Sequence, residues 1–274
     1  MKQKFFLVLL SSIAFYAAKA QHQLTKLWST DTIVPVPESV LFDGHNKVLY
    51  VSLIDGDPGK KDNQGGVAKI GLDGKIINMN WITGLSAPKG MGIYKNTLYV
   101  ADIDQVVAAD ITTGKITQKI SVDGAQFLND ITISNDGTVF VSDSRKGNVI
   151  AIKGGKVTEY AADFKGPNGL LAVGSDLYVL ASGTLYKLDA SKQRTTIAEG
   201  METSTDGIEE VKPGEFIVSA WSGVVYHVAN GKAEVMLDTR NEKSNTADIG
   251  YDSKNKIVYL PTFFKKSVVA YQYK

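Results

Sequence analysis

The sequence contains no cysteine, which excludes a disulfide framework and lipid attachment at an N-terminal Cys. Stability must then rest on a hydrophobic core, and 274 residues are enough to bury one. Histidine is scarce too: His22, His45 and His227 are the three present, at no metal-ligand spacing, so a histidine-built zinc site is not expected. No basic block or basic stripe interleaved with aromatics occurs, which argues against nucleic acid as a partner and against a polybasic membrane-surface segment. The pairs Lys60-Lys61 and Lys265-Lys266 read as solvated loop charges. No stretch carries sustained helical periodicity. Gly65-Gly66 lacks the Gly-Lys-Ser/Thr of a phosphate loop and reads as a surface loop. Ser219-Ala220-Trp221-Ser222-Gly223 has no Gly-x-Ser-x-Gly at a strand-to-helix turn, so it is not a nucleophile elbow.

What is present begins with Lys2 and Lys4, an apolar run from Phe5 to Ala18, and Ala18-Lys19-Ala20. The run is broken by Ser11 and Ser12, whereas a membrane span needs roughly 20 apolar residues. This pattern predicts a cleaved signal peptide over residues 1–20 and a secreted or periplasmic mature chain starting near Gln21, with no membrane insertion. Losing Lys2, Lys4 and Lys19 turns the formal charge of +1 slightly negative.

The remainder aligns with itself six times. Pro37-Glu38-Ser39 leads to LYVS at 49–52, Pro88-Lys89-Gly90 to LYVA at 98–101, and Leu128-Asn129-Asp130 to VFVS at 139–142. Pro167-Asn168-Gly169 leads to LYVL at 177–180, Thr205-Asp206-Gly207 to FIVS at 216–219, and Ala247-Asp248-Ile249 to VYLP at 258–261. A period of about 40 residues holding four short strands is that of a propeller blade. The fold expected is therefore an all-β, six-bladed β-propeller over residues 21–274. The first interval is lengthened by a polar insertion, residues 57–66, that reads as a surface loop. After Asp248 only three strands fit, so a strand at about Gln23 to Thr30 should complete the last blade and leave neither chain end as an open edge.

Equivalent positions of a ring converge on its axis. Glu38, Lys89, Asn129, Asn168, Asp206 and Asp248 are accordingly expected around the channel. Carboxylates and amide carbonyls suit a hard divalent cation, calcium first, with magnesium, manganese or zinc behind it. Asn and Asp also form turns on their own account, but a turn has no use for Glu38 or Lys89. Asp102, Asp143 and Ser144 end their strands and read as turn residues.

At these residues the chain resembles the gluconolactonase, regucalcin (senescence marker protein) and luciferin-regenerating-enzyme family. The closest local fits are Pro167-Asn168-Gly169-Leu170 and Thr205-Asp206-Gly207-Ile208. The resemblance implies Glu38, Asn168, Asp206 and Asn129 at a metal, Asp206 as catalytic base, and a lactone or ester as small-molecule substrate. Asn129, Lys89 and Phe127 would meet that substrate. Where many lactonases carry an arginine for polyols, this chain has Phe127, which implies a less polar substrate. A monomer is expected. The alternative function is a non-enzymatic propeller that binds a ligand or protein on one face, for which Trp221, Tyr251, Phe263 and Phe264 are the candidate surface aromatics.

Overall fold

The computed structural model describes residues 22–274; the leader expected at residues 1–20 lies outside them. The described residues form six four-stranded antiparallel sheets arranged as a six-bladed β-propeller. The innermost strands are Pro37–Asp43, Pro88–Tyr94, Leu128–Ile133, Pro167–Val173, Thr205–Lys212 and the short Gly250–Asp252. In the first five blades the chain runs outward strand by strand, whereas the sixth is assembled from both ends. Leu24–Ser29 pairs with Val268–Tyr273, from Leu24↔Tyr273 to Ser29↔Val269, and forms the outer edge of that blade. Closure by the N-terminal strand is thus as expected.

Burial explains which apolar runs take which place. Second strands such as Val48–Leu53 are buried throughout and, Ser52 apart, carry a nearly continuous apolar run, as strands covered on both faces do. Outer strands such as Ile116–Ser121, with burial on few positions, carry Thr117, Gln118 and Lys119 toward solvent. The core is divided into packets between neighbouring blades. Tyr50, Leu85, Met91 and Leu98 join blades 1 and 2. Val40, Leu49, Tyr259 and Val268 join blade 1 to blade 6. Each wholly buried Leu or Val contributes about 1.5–3 kcal/mol, so the ring is held by apolar contact at every interface. One correction concerns Gly65-Gly66, which is not loop but the buried start of the strand Gly65–Gly71. A Cβ at Gly66 would lie 2.4 Å from the Ile82 carbonyl oxygen, so this strand can begin only with a residue lacking one.

The innermost strands share one irregularity. Pairing with the second strand skips from Pro37 to Val40, Pro88 to Met91, Leu128 to Ile131, Pro167 to Leu170 and Thr205 to Ile208. A bulge releases its residues from the ladder and re-aims them. In three blades a serine of the second strand accepts the released backbone N–H: Ser52 from Ser39 at 2.9 Å, Ser142 from Asp130 at 2.9 Å and Ser219 from Gly207 at 2.8 Å. Neighbouring inner strands approach closely here. A Cβ at Gly169 would lie 2.1 Å from the Asp206 carbonyl oxygen, which explains the glycine after Asn168.

A cleft at the channel mouth and a histidine cluster at the ring closure

The five bulges deliver Glu38, Lys89, Asn129, Asn168 and Asp206 to one cleft of about 490 Å³ at the mouth of the channel, with Phe127 and Ser144 beside them. Five of the six residues expected around the channel therefore line one cleft, together with Phe127. Asp248 does not join them. Its segment aligns as Thr246-Ala247-Asp248-Ile249 with Thr205-Asp206-Gly207-Ile208, and it bridges Ser39 in parallel. Ala247 holds the place expected of Asp248, which lies one residue deeper. There Asp248 lines a cavity of about 200 Å³ with Ser39, Asp130 and Glu209 and accepts a 2.5 Å hydrogen bond from Ser39 Oγ.

Polar contacts orient the mouth residues. Asn168 Nδ2 donates to Asp206 Oδ1 at 3.0 Å, and Asn129 Nδ2 donates to Ser144 Oγ at 3.0 Å. Ser144 Oγ in turn donates to the Pro167 carbonyl at 2.7 Å, so this serine is more than a turn residue. Asp143 closes its turn by accepting from Arg145 N and Lys146 N, and both aspartates also hold the segment that leads into the inner strand of their blade: Asp102 accepts from Ser86 N and Ala87 N, Asp143 from Gln126 N and Phe127 N. Glu38 Oε2 and Asn168 Oδ1 are buried with no hydrogen-bond partner. An orphaned buried acceptor costs about 1–3 kcal/mol, and two in one cleft favour a cation there.

The electrostatics lean the same way. Burial, then Asp206, pushes the Glu38 carboxyl well above its ordinary range, with Lys89 opposing and Asp248 reinforcing. Burial and then Asp248 raise Asp206, against the hydrogen bond from Asn168. Lys89, itself lowered chiefly by burial, is bound elsewhere. Its Nζ donates to the Ala87 carbonyl at 2.9 Å and to that of Pro58 at 3.2 Å. It also lies 4.3 Å from the Phe127 ring centre, and the Arg145 guanidinium stands 4.5 Å from that ring, both within cation–π range. On the opposite rim Trp221, Phe263 and Phe264 pack edge to face. Tyr251, grouped with them from sequence, is buried against Tyr273 instead.

A second cluster stands at the other end of the strands. Contrary to the expectation from spacing, His22 and His227 come together, their ring centres 3.8 Å apart. With Glu215 they form a group able to hold a metal ion, the ligand atoms all within 4.8 Å of one another. Burial, and next the neighbouring His22, push the His227 imidazole down, toward the neutral form that binds metals.

No protein-family model matches the sequence, and no curated protein matches it. Solved structures resemble it in fold. A streptogramin B lyase superposes with a TM-score of 0.65 at 12% identity, over 93% of this chain and 98% of the other. A propeller in a nidogen/laminin complex gives 0.64 at 18%, over 79% and 85%. A catalytically inactive virginiamycin B lyase from Staphylococcus aureus with quinupristin gives 0.64 at 12%, over 92% and 99%. At such identities the likeness is one of fold, which propellers lend to unrelated activities. No helix among the described residues is long and apolar enough to cross a membrane.

Proposed function

We propose that this chain is a divalent-metal-dependent hydrolase of lactones or related esters, working at the channel mouth in the manner of gluconolactonase-type propellers. The observation that carries the reading is the pair of buried, unpartnered oxygens, Glu38 Oε2 and Asn168 Oδ1, in the same cleft as Asp206 and Asn129. Glu38, Asn168 and Asp206, with Asn129, would hold the ion, calcium being the best match to an all-oxygen set. When bound, such an ion supplies Lewis acidity at a carbonyl oxygen and acidifies a water.

Asp206 is the general base of this proposal. Its Oδ1 is fixed by Asn168, which leaves Oδ2 to accept a proton from the attacking water. Lys89, two of whose three N–H groups are held by the Ala87 and Pro58 carbonyls, offers the third to the oxyanion that develops, and Phe127 gives the substrate an apolar wall. The aromatic rim extends that wall, so aryl or alkyl lactones and esters fit better than sugar-acid lactones. The leader-like residues 1–20 support export to the periplasm or beyond.

A second reading, a non-enzymatic binding propeller, is favoured by one observation: Phe264 is 64% exposed and Trp221 37% exposed at the same rim. Metal analysis of the purified protein, followed by a panel of lactones and aryl esters, separates the two. Hydrolysis that requires the metal and fails in Asp206→Asn supports the enzyme. A bound metal with no turnover of any lactone or ester leaves the binding module.

A further inference from the structure

We infer that His22, Glu215 and His227 form a second metal site, selective for zinc or a similar transition ion, that clasps the N-terminal segment to blade 5. The site is independent of the channel mouth. Innermost strands start at the mouth, so the second strand of each blade starts at the opposite face. Glu215 opens such a second strand, Glu215–Ala220. His227 pairs with Ile217 near the far end of the third strand, Val224–Ala229. His22 precedes the strand that closes blade 6, beside Tyr273 at the end of the chain. One ion here would tie two strands of blade 5 to the segment that completes the ring.

The chemistry fits a nitrogen-preferring ion. His227 is 5% exposed, and its Nε2 and Glu215 Oε2 are both buried without a hydrogen-bond partner. The two atoms stand 3.5 Å apart, and two ligands of one tetrahedral zinc stand about 3.4 Å apart. The Tyr273 hydroxyl lies 3.0 Å from His22 Nδ1, leaving Nε2 as the free nitrogen of that ring. A hydrogen bond on the non-ligating nitrogen is the usual outer-shell arrangement of metal-bound histidine. Lys212 Nζ, 3.3 Å from Glu215 Oε2, is on a largely exposed side chain and can swing into solvent. Two imidazoles and one carboxylate leave a fourth position to water, and imidazole selects zinc, cobalt or nickel over calcium. In a chain without cysteine, such an ion does for the closure what a disulfide does elsewhere.

The test uses the full chain purified without a polyhistidine tag and stripped with chelator. Zinc is titrated calorimetrically, cobalt by its visible absorption, and the melting temperature is read with and without zinc. The site predicts one tight zinc equivalent that displaces cobalt and raises the melting temperature. Both effects should be lost in His22→Gln and in His227→Gln and kept in Glu38→Gln and Asp206→Asn. Tyr273→Phe should weaken zinc about 10–100-fold. His22 lies outside the strands, so His22→Gln keeps the test valid if His227→Gln fails to fold. Absence of stoichiometric zinc or cobalt binding would overturn the inference. So would zinc binding unchanged in His22→Gln, or binding lost only in the channel variants.

Discussion

Asn168 donates its side-chain N–H to Asp206 Oδ1 across the gap between the inner strands of blades 4 and 5, at 3.0 Å. That bond turns the other end of the amide, Asn168 Oδ1, into a buried acceptor with no partner. One contact therefore both orients the proposed base and presents a neutral oxygen ligand. The two strands come close enough for it because position 169 is glycine.

Gly169→Ala should accordingly disturb the site from outside it. The added methyl meets the Asp206 carbonyl at 2.1 Å, a backbone atom that cannot turn aside. Overpacking of this kind costs about 1–3 kcal/mol, or a fall in melting temperature of a few degrees. Calorimetry should find that fall together with weaker metal binding. An unchanged melting temperature would show that the strands separate freely.

Ring closure depends on Trp28. Its Nε1 donates to the Leu72 carbonyl of blade 1 at 3.0 Å, and its ring packs near Tyr259. The closing strand is thereby pinned to both sides of the seam. Trp28→Ala should cost about 2 kcal/mol or more, lowering the melting temperature by about 4–8 °C. Removal of residues 22–29 should cost more, because it also exposes the edge of Val268–Tyr273. Equal melting of the truncated and full chains would contradict this closure.

Stability of the metal-free protein should fall as the pH rises. Glu209, at the inner end of the channel, is pushed up to about 8 by burial and then by Asp248. Burial lifts Asp248 to about 7, against its hydrogen bond from Ser39. In the unfolded chain both titrate near 4. Above about pH 4 the folded chain thus binds more protons than the unfolded one, and this contribution to stability is lost by about pH 8. His227, pushed down by burial, opposes the trend below about 6.5 but is outnumbered. The melting temperature should be higher at pH 5 than at pH 8, and Glu209→Gln should flatten the slope. A metal-free protein that melts higher at pH 8 would reverse the assignment.

The repeat was legible because each blade has a largely apolar, doubly covered second strand, such as the one holding Leu98–Ala101, and because polar residues recur at the second position of the inner strands. Closure was legible from the strand missing after Asp248. What misplaced Asp248 was the bulge. In five blades it sets two residues of the inner strand opposite one of the second strand, so neighbouring polar residues point to different depths, and Asn129-Asp130 looks like Ala247-Asp248 without saying which residue reaches the mouth. The serines of LYVS, VFVS and FIVS were the available signal, since they bond the second bulge residue in their blades. The histidine cluster had no local signal at all. His22 and His227 meet only because the chain ends share a blade that abuts blade 5, a relation that exists once the ring is closed.

The measurement closest to the central claim is calcium and manganese titration of the stripped protein beside Glu38→Gln and Asp206→Asn, with hydrolysis of an aryl ester or lactone followed in the same samples. The account predicts one channel equivalent in the wild type, lost or greatly weakened in Glu38→Gln. In Asp206→Asn, which keeps an oxygen ligand but not the base, part of the binding should remain while hydrolysis falls by about 100-fold or more. Metal binding unaffected in both variants, with no hydrolysis by the loaded wild type, would contradict it.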